Sequence, residues 1–231
     1  MFLSNGKLIV LESGTDSSGK ETQTNLLFKR LKEKKINVLK VEYPDYMSDS
    51  SSLIKMYLNG DFGKDPYSVN PFAASSFFAV DRYASFKTKW QNFYENGGLI
   101  IADRYTTSNM VHQASKIENK EEKDFFLDWL YDFEFNKICI PEPDIVFFLD
   151  VPPDISSILM KNRKNKINGS AKKDIHEDNA QYLLNTYKNA LYVAKKYKWE
   201  IINCVSGNRL KPIETINDEI LKKTKELINS Q

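Results

Sequence analysis

One stretch constrains this chain more than any other: Gly14-Thr15-Asp16-Ser17-Ser18-Gly19-Lys20-Glu21-Thr22. An apolar segment, Leu8-Ile9-Val10-Leu11, precedes it, and residues 23–31 read as helix. Strand, Gly-rich turn and helix in that order build a cradle for phosphate. Backbone N–H groups point inward, the helix N-terminus adds partial positive charge, and the Lys reaches the terminal phosphates. The glycines are read as leaving room for the backbone to approach the phosphate oxygens. The pattern G-x-x-x-x-G-K-[ST] holds except at its last position, where Glu21 replaces the hydroxyl residue. A plain Ser/Gly-rich surface turn would leave the strand-to-helix context unexplained. The stretch is therefore read as a nucleotide site, with all of residues 14–22 facing ATP phosphates.

Short apolar runs bounded by turn residues recur along the chain, at 7–11, 37–41, 99–102, 145–149 and 199–204. Such runs fit strands buried on both faces, and the intervals between them are long enough for helices. The fold class expected is α/β: a doubly wound, five-stranded parallel sheet flanked by helices, in one domain over 1–231. Residues 71–94, 118–134, 174–196 and 210–228 read as helices. The polar face of 118–134 shows no evident chemistry. In sheets of this kind ligands sit beyond the carboxyl ends of the strands, so residues 12–20, 42–46, 103–108 and 150–153 are the ones to inspect.

Asp103-Arg104-Tyr105 follows the third strand. An Asp there, near a phosphate loop, suits the group that holds Mg²⁺, directly or through water. The Arg beside it can meet a phosphate with its planar fork. A second Asp-Arg-Tyr at 81–83 lies in a helical stretch and is read as coincidence. Residues 161–173, KNRKNKINGSAKK, hold six cations and no acid. They are read as a short basic lid that closes over the phosphates and excludes water.

The formal net charge of +2 is close to balance, which argues against a nucleic-acid partner or a charged membrane surface. No apolar run is long enough to span a bilayer, and no secretory leader is evident at the start. Cys139 and Cys204, with His112 and His176, keep no metal-ligand spacing, and the thiols are read as buried and free. A cytoplasmic protein is expected.

With these residues placed, the chain resembles the thymidylate kinases through most of its length. The matching motifs are the loop at 14–20, Tyr43-Pro44-Asp45-Tyr46, Phe78-Ala79-Val80-Asp81-Arg82, residues 103–109, and Pro141-Glu142-Pro143-Asp144. The resemblance implies phosphoryl transfer from ATP to thymidylate (dTMP), with Mg²⁺, in a homodimer. It implies that Lys20 and the loop amides hold ATP, that Asp16 meets the sugar 3′-hydroxyl, and that Phe78 stacks on thymine. Arg82 and Asn109 would bond the edge of the base, and Arg104 and Tyr46 the acceptor phosphate. Tyr43 and Ser108, in the same motifs, complete the dTMP-binding set. His112 stands where relatives carry an aromatic against the sugar, and is read either as a ligand contact or as a packed bystander. Arg163 is the lid cation assigned to transfer, and Lys20, Asp103 and Arg104 complete the catalytic set.

Two positions depart from the family. Glu21 is expected either to point away, leaving the metal to Asp103, or to ligate it; Glu177, next to His176, is the other candidate ligand. Asp45 stands where many relatives have Arg, and its carboxylate would repel an incoming phosphate unless bridged by Mg²⁺ or turned outward, the arrangement expected here. Two other readings stay open: a kinase of broader deoxynucleotide or deoxynucleoside range, and a nucleotide-binding protein without catalysis.

Overall fold

The computed structural model describes residues 6–15, 18–160, 180–207 and 209–229. In chain order it holds β1 (Lys7–Ser13), α1 (Lys20–Glu33), β2 (Val38–Glu42), α2 (Ser52–Asn59), α3 (Pro71–Ser85), α4 (Gln91–Glu95), β3 (Leu99–Asp103), α5 (Thr106–His112) and α6 (Lys120–Tyr131). Then follow β4 (Ile145–Asp150), α7 (Pro153–Met160), α8 (Ala180–Lys196), β5 (Glu200–Asn203), the pair β6 (Val205–Ser206) and β7 (Arg209–Leu210), and α9 (Ile213–Asn229).

The first five strands form one parallel sheet in the order β2-β3-β1-β4-β5, as the apolar runs predict. Alternation along β1 splits its side chains between two faces. Ile9 and Leu11 join Leu27 and Leu31 of α1 and Ile216 and Ile220 of α9. Leu8 and Val10 join Trp90, Ile100, Ala102 and Tyr105 on the other face. Phe148 meets Ala190 and Ala194 of α8 on that second side. Helices on both faces explain why the strands read as continuous apolar runs rather than as alternating ones.

Local boundaries depart from the sequence reading in three places. Leu210 is not the start of the last helix but pairs antiparallel with Val205 in β7, and Pro212 marks the entry to α9. Residues 71–94 are not one helix: α3 ends at Ser85, and a π-helical turn (Phe86–Trp90) buries Phe86 and Trp90 before α4 begins. The stretch 118–134 likewise passes from α6 into a π-helical turn (Asp132–Lys137). Residues 174–179, read as helix, lie outside the described residues, as does the lid at 161–173. The thiols also split: Cys204 is buried, with burial pushing it up to about 12, whereas Cys139 is exposed, in a left-handed turn at φ 54°.

α3 starts from a firm cap. Asn70 accepts a hydrogen bond from the Ala73 N–H at 2.9 Å, and Pro71 occupies the first turn, where no N–H is needed. α6 starts the same way, Asn119 accepting from Glu122 N–H at 3.0 Å. These caps fix α3, which with α5 carries the deeper half of the site, and α6, which leads into the turn that completes it.

Candidate functional site

The loop after β1 reaches α1 through Gly19, which sits at φ 88° and caps the helix without a side chain. Only glycine takes that conformation without strain. Gly14 serves differently from the expectation. A Cβ there would lie 3.0 Å from Ala190 Cβ and 3.0 Å from the Tyr187 ring, so Gly14 lets α8 pack against the loop. Lys20 is buried, and its Nζ donates to Ser13 Oγ at 2.6 Å, while Ser13 Oγ donates to the Thr15 carbonyl. Thr15 Oγ1 donates to the Val151 carbonyl, which ties the loop to the end of β4. Ser18 Oγ is buried with no hydrogen-bond partner among the described residues. Glu21 and Thr22 are exposed in the first turn of α1. Asp16 and Ser17 lie outside the described residues.

Register brings the second group of residues alongside. Leu11 of β1 pairs with Asp103 of β3, so Glu12 and Arg104 emerge next to each other at the carboxyl end of the sheet. Asp103 is 5% exposed. Arg104 has φ 67°, a left-handed conformation that costs an L-residue about 1–2 kcal/mol. Its backbone N–H still bonds the Leu11 carbonyl, so the sheet holds the strained turn in place. The turn directs the guanidinium to His112, Nη1 to Nε2 at 3.1 Å, and to Glu12 Oε1 at 3.9 Å.

Sequence reasoning assigned Glu12 no role. It is fully buried, and its carboxylate accepts from Ser13 N–H, Thr107 Oγ1 and Ser108 Oγ. An acid enclosed at a strand end and ringed by donors holds the first turn of α5 and Arg104 in one arrangement. Its position straight after the apolar run 8–11, among the strand-end residues marked for inspection, was the available signal.

The remaining predicted residues fall into two groups. Arg82 and Asn109 converge under α5, around Glu134 of the second π-helical turn, where Thr106, to which the sequence assigned no role, joins them. The polar face of that stretch, expected to carry no chemistry, therefore supplies a buried acid. Phe78 and Tyr46 are half-buried beside Ile54, Tyr57 and Leu58, and Tyr57 meets the Phe78 ring edge-on at 6.2 Å. Tyr43, in contrast, is turned into the core. Its hydroxyl accepts from Trp90 Nε1 at 2.9 Å and donates to Ser85 Oγ, and burial pushes it up to about 12. Asp45 directs its carboxylate to Lys89, and its N–H bonds Asp81, so an ion pair engages the charge expected to disturb an acceptor phosphate. Arg163, His176 and Glu177 lie outside the described residues.

A phosphate loop on a parallel sheet of this strand order, with an acid and an arginine at the neighbouring strand end, defines the class of phosphate-loop nucleotide kinases. Within that class the assignment is specific. The family model for thymidylate kinase matches residues 13–220, and the chain belongs to that family. The thymidylate kinase of Buchnera aphidicola subsp. Baizongia pistaciae is 32% identical over 205 residues, covering 88% of each chain. That of Fervidobacterium nodosum is 28% identical over 216 residues, covering 93% of this chain and 97% of the relative. Among solved structures, thymidylate kinase from Candida albicans superposes with a TM-score of 0.70 at 22% identity, covering 98% of this chain and 94% of that one. The enzyme from Ehrlichia chaffeensis does so with a TM-score of 0.65 at 19% identity, covering 95% and 99%. At those identities the structural likeness speaks for the fold.

Proposed function

We propose that this chain transfers the γ-phosphoryl group of ATP to the 5′-phosphate of dTMP, giving dTDP and ADP. The observation that carries the reading is the juxtaposition of Lys20, Asp103 and Arg104 at the carboxyl ends of β1 and β3, with Arg82 and Asn109 gathered under the adjoining α5. The loop amides of 14–22 and Lys20 take the ATP phosphates, and the unpartnered Ser18 hydroxyl suits a phosphate oxygen. Arg104 and Tyr46 take the acceptor phosphate, Phe78 stacks on the base, and Arg82 and Asn109 bond its edge. Asp16, Ser108 and His112 border the sugar, and Arg163 acts from a lid over 161–173.

No protein nucleophile is required, because the acceptor oxygen is already anionic. The protein supplies in-line positioning and charge neutralisation. The donor set fits Mg²⁺ of the kind held by one or two carboxylates and substrate phosphates rather than by a protein cage. Asp103 would hold the ion, with Glu21 or Glu177 as the alternative second carboxylate, and the bound ion would neutralise charge on the phosphates.

Two further assignments belong to this reading. The chain acts as one phosphate-loop domain and as a homodimer, supported by an exposed apolar stripe on α3 and α6. It works in the cytosol, in keeping with the free thiols. No helix among the described residues is long and apolar enough to cross a membrane.

The test is diphosphate formation from dTMP, dUMP, dCMP, dGMP and thymidine with ATP and Mg²⁺. Wild-type protein should convert dTMP, and Lys20→Ala should lower kcat by roughly a hundredfold or more without changing the circular dichroism spectrum. Comparable conversion of several deoxynucleotides would replace the reading with that of a broader kinase. ATP binding without any acceptor phosphorylated would end the catalytic reading.

A further inference from the structure

Glu134 is wholly buried in the π-helical turn that follows α6. Four donors converge on its carboxylate. Oε1 accepts from Arg82 Nη2 at 2.5 Å and from Asn109 Nδ2 at 3.3 Å; Oε2 accepts from Arg82 Nε at 2.6 Å and from Thr106 Oγ1 at 2.7 Å. These fill the acceptor capacity of a carboxylate. A buried ion pair is a weak source of stability, since desolvation offsets most of the Coulomb attraction. π-helical turns, moreover, recur at functional sites. Both facts direct attention to what this carboxylate does to its partners.

It fixes their polarity. A carboxylate can only accept, and so can the Ser75 carbonyl, which takes Asn109 Nδ2 at 3.2 Å. Both amide N–H groups of Asn109 are therefore drawn to these two acceptors, and its Oδ1 is left on the opposite edge as an acceptor. Arg82 uses its Nε/Nη2 edge on Glu134, and Nη1 donates to the Tyr105 carbonyl at 3.4 Å. Its remaining N–H groups are donors. The pair thus offers a donor beside an acceptor. A pyrimidine with a carbonyl at C4 and a proton on N3 is complementary to that order. Cytosine presents an amino group and a bare nitrogen, and opposes it at both positions.

We propose that Glu134 is a positioning residue that sets base specificity, by holding Asn109 with its carbonyl outward and Arg82 with its free edge outward. The proposal rests on the reading of this site as a thymidylate site. Glu134→Gln tests it, because a glutamine side chain donates as well as accepts and so allows Asn109 to turn over. The dTMP-to-dCMP ratio of kcat/KM should fall roughly tenfold or more, through opposite shifts in the two KM values, with KM for ATP unchanged. Thr106→Val removes only the hydroxyl donor to Oε2, and should lower Tm while keeping the wild-type ratio. An unchanged ratio in Glu134→Gln, or an equal change in Thr106→Val, would leave Glu134 a structural hub and overturn the proposal. Should Glu134→Gln not fold, Glu134→Asp replaces it, because the shorter carboxylate cannot reach all four donors: a tenfold fall in the ratio supports the proposal, and a wild-type ratio overturns it. A wild-type protein inert toward dTMP would instead sink the functional reading, and the proposal with it.

Discussion

At the scale of single residues, Lys116 shows how strongly the fold can act on one charge. Its ammonium, in the turn after α5, donates to Tyr57 Oη at 2.9 Å and to the Val69 carbonyl at 3.0 Å, and lies 5.2 Å from the centre of the Tyr57 ring. Burial lowers it from an ordinary 10.5 to about 7, against a smaller opposing pull from Asp65. Between those two values the unfolded chain holds the proton and the folded chain releases it, so this group adds stability as pH rises. Below about 7 both states are charged and the full penalty of burying the ammonium is present. The Tm of wild-type protein should therefore gain on that of Lys116→Met as pH goes from about 7 to about 10. Parallel Tm curves for the two proteins would show that the ammonium is not destabilised in the folded state. Lys20, Asp103 and Arg104 were legible without coordinates because motif and strand order place them. Glu134 was not, although a signal existed. Arg82 sits in an apolar helical run and needs a buried acid, and Glu134 stands between Phe133 and Phe135.

At the scale of elements, the two loop glycines separate two kinds of constraint. In Gly19→Ala the new methyl meets nothing within 4 Å, and the cost is the left-handed backbone alone, about 1 kcal/mol. In Gly14→Ala the methyl runs into Ala190 and Tyr187 of α8, an overpacking that costs about 1–3 kcal/mol and presses the loop away from the helix. Adding Ala190→Gly should recover part of the lost Tm in the Gly14→Ala background, since the Tyr187 contact stays, and leave Gly19→Ala unrecovered. Thermal melts of the two double variants decide it, and recovery in neither would remove Ala190 as the seat of the constraint. The same contrast explains what the sequence could tell at this level. Strand positions and the two-faced sheet follow from apolar runs and need no partner to be recognised. The function of Gly14 depends on a helix more than 170 residues away, and the π-helical turns depend on Trp90 and Glu134 finding buried places. The inserted residue of a π turn breaks the 3.6-residue period on which helical reading rests. The β6–β7 pair escaped for a related reason: its strands are two residues each, too short for any period to show.

For the whole molecule, the surface of α3 carries the argument. Phe72, Ser76, Val80 and Tyr83 fall at intervals of four, four and three residues, so they share one stripe of the helix. Val80 is 55% exposed and Tyr83 42%. At its start the stripe continues into α6, where Phe125, 67% exposed, lies 6.5 Å from the Phe72 ring. Exposed apolar side chains in a line across two neighbouring helices fit a self-complementary two-fold interface, in which the same stripe meets its copy. α3 also buries Ala74, Ser75, Ala79 and Arg82, so a partner pressed on the stripe would brace the helix that carries the arginine proposed to read the base. Val80→Glu with Phe125→Glu places two charges on each protomer's half of that interface. In sedimentation equilibrium, wild-type protein should weigh about twice the 26.8 kDa of one chain, and the double variant should weigh one. The variant should keep its circular dichroism spectrum and bind dTMP more weakly, with ATP binding unchanged, since on the proposed reading α3 contributes to the acceptor site alone. A wild-type mass of one chain at micromolar concentration would remove the dimer. A monomeric variant with unaltered dTMP affinity would keep the dimer and separate it from base recognition, leaving the Arg82–Glu134 pair to hold the acceptor site from within a single chain.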